Sequence, residues 1–426
     1  LKEWKQLERA YRKMLHRVAG KGNLDLEFSL WHALGLIYRD RLGDLNASIE
    51  AFRMGSRIKP DDQQEHTILA ELHERLEQFD EAATEYQTLL KLDPGSVDTY
   101  RKLYGIYLTK KAYDPAWCLA AALAFLRKAD EEEQRFFDDY RPQGMLQVKS
   151  RLDNEQWVRN LFHEDENLYV GKIFEMIASA ALRAKLDGLK AKKEFPPPSL
   201  DARFRQDPAT STVTFARTFG WAAQVLGIPC PLLFVRSDVA GALVAVPNDQ
   251  PSSVAGQTVL TGFTPQDLTF IVGKHLAMYR GEHYIKTLFP TVTELTVLLF
   301  AGIRLVAPET PAPPDIEKQI AVTAQTLRGH IQPMQLEGLR MVVKKFIGEG
   351  AKANIKRWVQ TVEVTSARAG LLLCGDLEIA KKIIAAEPQQ PGDLTPQEKI
   401  RELILFSVSE QYFALRRTLG IEIVAG

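Results

Sequence analysis

Trp31-His32-Ala33-Leu34-Gly35-Leu36-Ile37-Tyr38 decides how the first third of this chain folds. Large apolar residues at Trp31, Leu34 and Tyr38 fall on one face of a helix, and Gly35 among them lets a second helix cross closely. Ile49, Phe52 and Pro60 then close a helical hairpin, after a one-residue insertion in the turn near Gly43. The pattern returns with Leu69, Ala70, Phe79, Ala82 and Tyr86 at the matching offsets, and Pro94 follows Pro60 by 34 residues. A third, less regular unit begins at Tyr100, Leu103, Tyr104 and Tyr107 and continues through Tyr113 and Ala116.

A helix–turn–helix period of this length and residue content resembles the tetratricopeptide repeat (TPR). One hairpin cannot bury its own apolar face, so successive units stack into a solenoid, with Gly35, Ala70 and Ala82 at the close crossings. The resemblance implies protein–protein interaction as the function of residues 1–130, read as about three units plus a partial one. It also places certain first-helix positions on the concave groove: His32, Arg39, Thr67, Glu71, Glu74 and Arg101. That lining is mixed in charge, and the Lys/Asn clamp some repeats use for acidic C-termini is absent. The expected partner is a protein or peptide of unspecified identity, and stacking on upstream repeats is an equal role.

The whole chain, 426 residues, is long enough for two or three domains. Lys plus Arg equals Asp plus Glu, 54 against 54, so no global field draws nucleic acid. Cys118, Cys230 and Cys374 are far apart and form no CxxC pair, which fits a reducing, cytoplasmic setting. No apolar run reaches membrane-spanning length; the nearest, residues 295–306, contains Arg304 and reads as a buried core helix, so no membrane insertion is expected. The chain opens inside a helical pattern without an initiator Met, which reads as a piece of a longer protein.

Residues 131–200 read as a helical connector, with Tyr169, Ile173, Ile177 and Ala181 at helical spacing and Pro196-Pro197-Pro198 as its end. Pro-rich loops start at Ala307 and Glu387, and a last helix is expected from Pro396 to about Leu419. Between residues 212 and 283 the pattern changes. A helix, TFARTFGWAAQVLG, leads to β-like runs PLLFVR, GALVAV and QTVLTG. Thr264, Pro265 and Asp267 then signal a helix start, followed by LTFIVGKHLAMYRGEH.

This layout is similar to the peptidase domain of HtpX-like zinc metallopeptidases, some of which are fused to TPR domains. In that family one helix carries His-Glu-x-x-His. Laid on residues 270–283, the motif meets Lys274-His275-Leu276-Ala277-Met278. Lys274 takes the first ligand position, His275 the catalytic Glu and Met278 the second His. Zinc needs imidazole, carboxylate or thiolate donors, and an ammonium supplies none. The family's third ligand is a Glu on a later helix; Glu363 is its best match, with Ala367 where an Asp would stand and Arg368 and Gly370 agreeing.

The resemblance therefore implies a degenerate, metal-free site at residues 201–426, without cofactor or catalytic residues. Lys274 is expected to pair with Glu363 where zinc would sit, and Met278 to fill the remaining hollow. No Ser, Cys or Asp stands at a recognisable spacing from His275 to make it a base. The competing reading is a divergent zinc peptidase with His275, His283 and Glu363 as ligands. The expected fold is mainly α: a TPR α-solenoid followed by an α+β, gluzincin-like helical domain with a small β-sheet. The expected function is a non-catalytic scaffold or adaptor.

Overall fold

The structure, a computed structural model, describes residues 2–389 and 392–424. Part of the expected Pro-rich loop at Glu387, namely Gln390 and Pro391, lies outside the described residues. The fold is mainly α with one small sheet. Contacts divide the chain into two units. The first holds residues 2–141, Ser407–Ser409 and residues 423–424; the second holds Pro142–Phe406 and Glu410–Glu422.

The first unit consists of α1 (Lys2–Val18), α2 (Leu24–Leu36), α3 (Leu45–Ile58), α4 (Gln63–Arg75), α5 (Phe79–Leu92), α6 (Val97–Thr109), α7 (Tyr113–Phe125) and α8 (Glu131–Tyr140). Each helix packs on the next in sequence, so hairpins α2–α3, α4–α5 and α6–α7 form a consecutive stack. Asn23, Asp44 and Asp62 cap α2, α3 and α4 by accepting from Leu26, Ala47 and Glu65 N–H. Gly35 meets Phe52 so closely that a Cβ there would lie 2.8 Å from the ring.

The repeat is written into the backbone. Gly43, Glu77 and Lys111 each turn through the left-handed region, at φ 70°, 56° and 57°, and stand 34 residues apart (77 − 43 and 111 − 77). Gly35 and Ala70, by contrast, are 35 apart. The extra residue lies between Gly35 and Gly43, where Ile37–Leu42 forms a π turn and Gly43 N–H donates to Tyr38 O five residues back. The insertion is thus absorbed inside the helix rather than in the turn.

The second unit contains α9 (Asn154–Gln156), α10 (Leu168–Ala191), β1 (Arg205–Gln206), α11 (Thr214–Val225), β2 (Leu232–Arg236), β3 (Leu243–Val246), β4 (Ser252–Gly256), α12 (Gln257–Leu260) and α13 (Pro265–Ala277). These are followed by α14 (Tyr284–Leu288), α15 (Val292–Arg304), α16 (Glu317–His330), α17 (Pro333–Gly348), α18 (Ile355–Cys374), α19 (Leu377–Ala385), α20 (Pro396–Ser407) and α21 (Glu410–Leu419). The sheet order is β1-β2-β4-β3, with β2 and β4 parallel and the outer pairs antiparallel. β3 is therefore an edge strand.

α10 is a core element, burying Val170, Ile173, Phe174 and Ile177 against α14 to α17. The expected connector of residues 131–200 does not form a separate body: α8 packs on α7, and α10 belongs to the second unit. Two other expectations change. QTVLTG is not a strand; its first four residues form α12, and the strand is the preceding Ser252–Gly256, buried at every position. A strand buried on both faces shows no alternation, which is why its pattern was silent. The expected last helix is two helices, α20 and α21, broken after Ser407.

Candidate functional site

α13 begins as its sequence requires: Thr264 accepts from Asp267 N–H, Asp267 accepts from Thr264 N–H, and Pro265 opens the first turn. Asp267 is buried and held on α19 by Lys382 Nζ, 2.8 and 2.7 Å from its two oxygens. Burial pushes the Asp267 carboxyl up, but the bonds from Lys382 and Thr264 outweigh it and hold it below its ordinary value.

α13 runs antiparallel to α18, with Gln266 Nε2 donating to Cys374 O at 2.9 Å at one end. The two backbones touch midway. A Cβ on Gly273 would lie 3.1 Å from Ala369 O, and one on Gly370 only 2.8 Å from Phe270 O. This close crossing sets Lys274, next to Gly273, within reach of Glu363, two turns before Gly370.

Lys274 Nζ lies 3.8 Å from Glu363 Oε2. Its nearer carboxylate is Glu387, at 2.5 Å. Glu363 is in turn bound by Lys286 Nζ at 2.6 Å and Lys399 Nζ at 3.2 Å, and Lys399 also faces Glu387 at 3.9 Å. Three ammonium groups thus surround one carboxylate, and Lys399 keeps only 8% of its side-chain surface exposed. Burial works against the charge on Glu363, yet Lys286, Lys274 and Lys399 hold its carboxyl well below the usual range. Burial likewise lowers Lys274, and Glu363 and Glu387 overcome it to leave the ammonium above its ordinary value. Met278 sits at the C-cap of α13, packed against the core that α10 builds.

Lys286, Lys399 and Glu387 were not singled out from sequence. They come from three separate segments, and no local spacing links them to Glu363.

His275 points elsewhere. Its Nε2 lies 2.8 Å from Ser253 Oγ on β4, Ser253 Oγ lies 2.7 Å from Tyr279 Oη, and Tyr279 donates to Ser252 O at 2.7 Å. With the tyrosine proton committed to Ser252 O, Ser253 donates to Tyr279 and His275 Nε2–H donates to Ser253. Burial pushes the imidazole down to about 3, so it is neutral. A serine partner for His275 therefore exists, 22 residues upstream on a strand whose pattern gave no signal. Ser253 is fully buried, and among the described residues no carboxylate is hydrogen-bonded to the imidazole.

His283 is also fully buried, with Nε2 2.6 Å from Glu166 Oε1 and Nδ1 3.3 Å from Ala277 O. His275, His283 and Glu363 are each committed to different partners. Among the described residues no three His, Cys, Asp or Glu side chains are grouped to hold a metal.

In the first unit the six groove candidates divide. His32 Nδ1 contacts the fully buried Glu65 Oε1 at 2.5 Å and its ring packs on Phe28 and Phe52, so it bridges successive repeats. Arg39 is tied to Asp40 at 2.7 Å. Arg101 reaches Glu133 at 3.2 Å and Lys128 O at 2.9 Å. Glu74 accepts from Tyr86 and from Lys102 at 3.3 Å. Thr67, Glu71 and Arg101 are exposed; Thr67 and Glu71 stand one turn apart on α4, with Thr67 Oγ1 donating to Gln63 O at 2.7 Å.

Stacked hairpins with a conserved turn conformation at fixed period define a helical-repeat interaction unit. The sequence model of the tetratricopeptide repeat family matches residues 28–62 and 66–96, so hairpins α2–α3 and α4–α5 are tetratricopeptide repeats. No curated protein matches the chain. Tetratricopeptide repeats support protein partners. No described helix is long and apolar enough to cross a membrane.

Proposed function

We propose that the chain is a non-catalytic protein-interaction scaffold whose second unit is a metallopeptidase-like module with its metal position taken over by an ammonium. The supporting observation is the environment of Glu363. The carboxylate that the resemblance assigns to zinc is neutralised by Lys274, Lys286 and Lys399 instead. A divalent cation beside three ammonium groups meets repulsion in place of donors. His275, at the catalytic-Glu position, is a neutral hydrogen-bonded residue turned toward β4.

The first unit supplies a binding surface through Thr67 and Glu71, and edge strand β3 supplies a second surface, on which an extended peptide adds as a strand. None of the three cysteines forms a disulfide among the described residues, which suits a reducing compartment, the cytoplasm.

The test combines metal analysis, a cleavage assay on an unfolded protein substrate, and affinity capture with the full chain. The expected result is no stoichiometric zinc, no cleavage, and a captured protein lost on Glu71→Arg. Stoichiometric zinc that disappears with His275→Ala would instead establish the divergent peptidase.

A further inference from the structure

Three of the most exposed apolar side chains lie on two consecutive helices, α16 and α17, remote in sequence from both the repeats and the ion cluster's lysines at 274 and 399. α17 buries Leu339, Val343 and Phe346 and packs on α10. At 100° per residue the opposite face carries Met334, Glu337, Met341, Lys344 and Lys345. Met334 is 87% exposed and Met341 65%; Val322 on α16 is 66% exposed. These are three of the four most exposed large hydrophobics among the described residues.

The charge on these helices is one-sided. α16 and α17 contain two carboxylates, and both are occupied: Glu317 by Arg304 and Glu337 by Arg340. Lys318, Arg328, Lys344 and Lys345 are exposed and have no carboxylate partner among the described residues. The acids nearest in sequence are Glu349, at the C-cap of α17, which accepts from Tyr169 Oη at 2.5 Å, and Asp315, in the turn before α16.

We propose that the outward face of α17 docks peripherally on an anionic lipid surface. Unbranched, flexible methionines enter the headgroup boundary, and the free lysines meet lipid phosphates and carboxylates. A protein partner fits less well, because lysine is depleted from the cores of protein interfaces whereas it flanks apolar side chains at a membrane surface. The contact is superficial, since no described helix can span a bilayer. This inference stands apart from the reading of the Glu363 cluster.

Flotation of the full chain with vesicles tests it, using phosphatidylcholine alone and a two-to-one mixture of phosphatidylcholine and phosphatidylserine. Binding is expected only to the mixture, weakening as salt rises. Lys344→Gln and Lys345→Gln should each lower it by about fivefold. Met334→Ser with Met341→Ser should lower binding at low salt while leaving the thermal melt unchanged, because both side chains are exposed. Equal binding to both vesicle types, no binding to either, or binding indifferent to all four substitutions would overturn the proposal. So would capture by the same face of an acidic protein with no vesicle binding.

Discussion

His32 Nδ1 on α2 and Glu65 Oε1 on α4 lie 2.5 Å apart, joining successive repeats through a carboxylate with no exposed surface. Its other oxygen, Oε2, has no hydrogen-bond partner among the described residues and faces Gly55, where a Cβ would come within 2.7 Å. Burial raises the Glu65 carboxyl above its ordinary value, against the opposing pull of His32. Gly55→Ala gains helix propensity but drives a methyl into Oε2 of a carboxylate whose other oxygen His32 holds in place. A net loss of about 1–2 kcal/mol is expected in urea unfolding followed by a probe in the first unit. Gly55→Ala combined with Glu65→Ala should recover part of that loss.

Glu363→Gln leaves three buried ammonium groups short of their shared counter-ion. Removing one partner of a buried pair costs about 3–5 kcal/mol, and partial exposure of Glu363 puts the expectation at the lower end. Lys286→Met should cost less, because Glu363 keeps two cations. The pH dependence follows from the direction of each shift. The Glu363 carboxyl is depressed in the fold, so its contribution is complete above the unfolded value of about 4.3 and is lost as pH falls through the folded value. Lys274 is raised, so its contribution holds below about 10.4 and is lost only above that. Thermal melts should show the variant's deficit shrinking in strong acid.

At the α13–α18 crossing, Gly370→Ala places a Cβ 2.8 Å from the carbonyl of Phe270. Backbone cannot rotate away as a side chain can, so the helices must separate, at about 1–3 kcal/mol. Gly329→Ala, in a helix with nothing within 4 Å, should gain about 0.5–1 kcal/mol and serves as the comparison. Denaturant midpoints of the two variants should move in opposite directions.

Glu77 and Lys111 occupy a left-handed conformation that glycine adopts freely. Glu77→Gly and Lys111→Gly should each stabilise the repeats slightly, by up to about 1 kcal/mol, the strain relieved being partly offset by unfolded-chain entropy. Gly43→Ala should destabilise, although nothing lies within 4 Å of its Cβ position. Thermal unfolding of the three variants checks the order.

The repeats were legible because their information is local: Gly35, Phe52, Ala70 and Ala82 all lie at the contacts their spacing implies, buried in the stack. The capped start of α13 was legible for the same reason, three residues carrying the whole signal. β4 was not, since a strand of small residues buried on both faces has no period to detect. The proximity of Lys274 to Glu363 came through a resemblance, while Lys286, Lys399 and Glu387 depend on tertiary placement and left no mark in the sequence. The π turn at Ile37–Leu42 showed itself only as an extra residue, and which segment absorbed it required the backbone.

Glu363 receives its cations from α13, α14 and α20, and Glu387 adds the segment after α19. None of these segments can open by itself without stranding a charge in a poorly solvated place, so partial unfolding is discouraged and the second unit is made to open as one cooperative block. In amide-exchange terms, the cluster lifts the protection of several separate elements toward a common free energy.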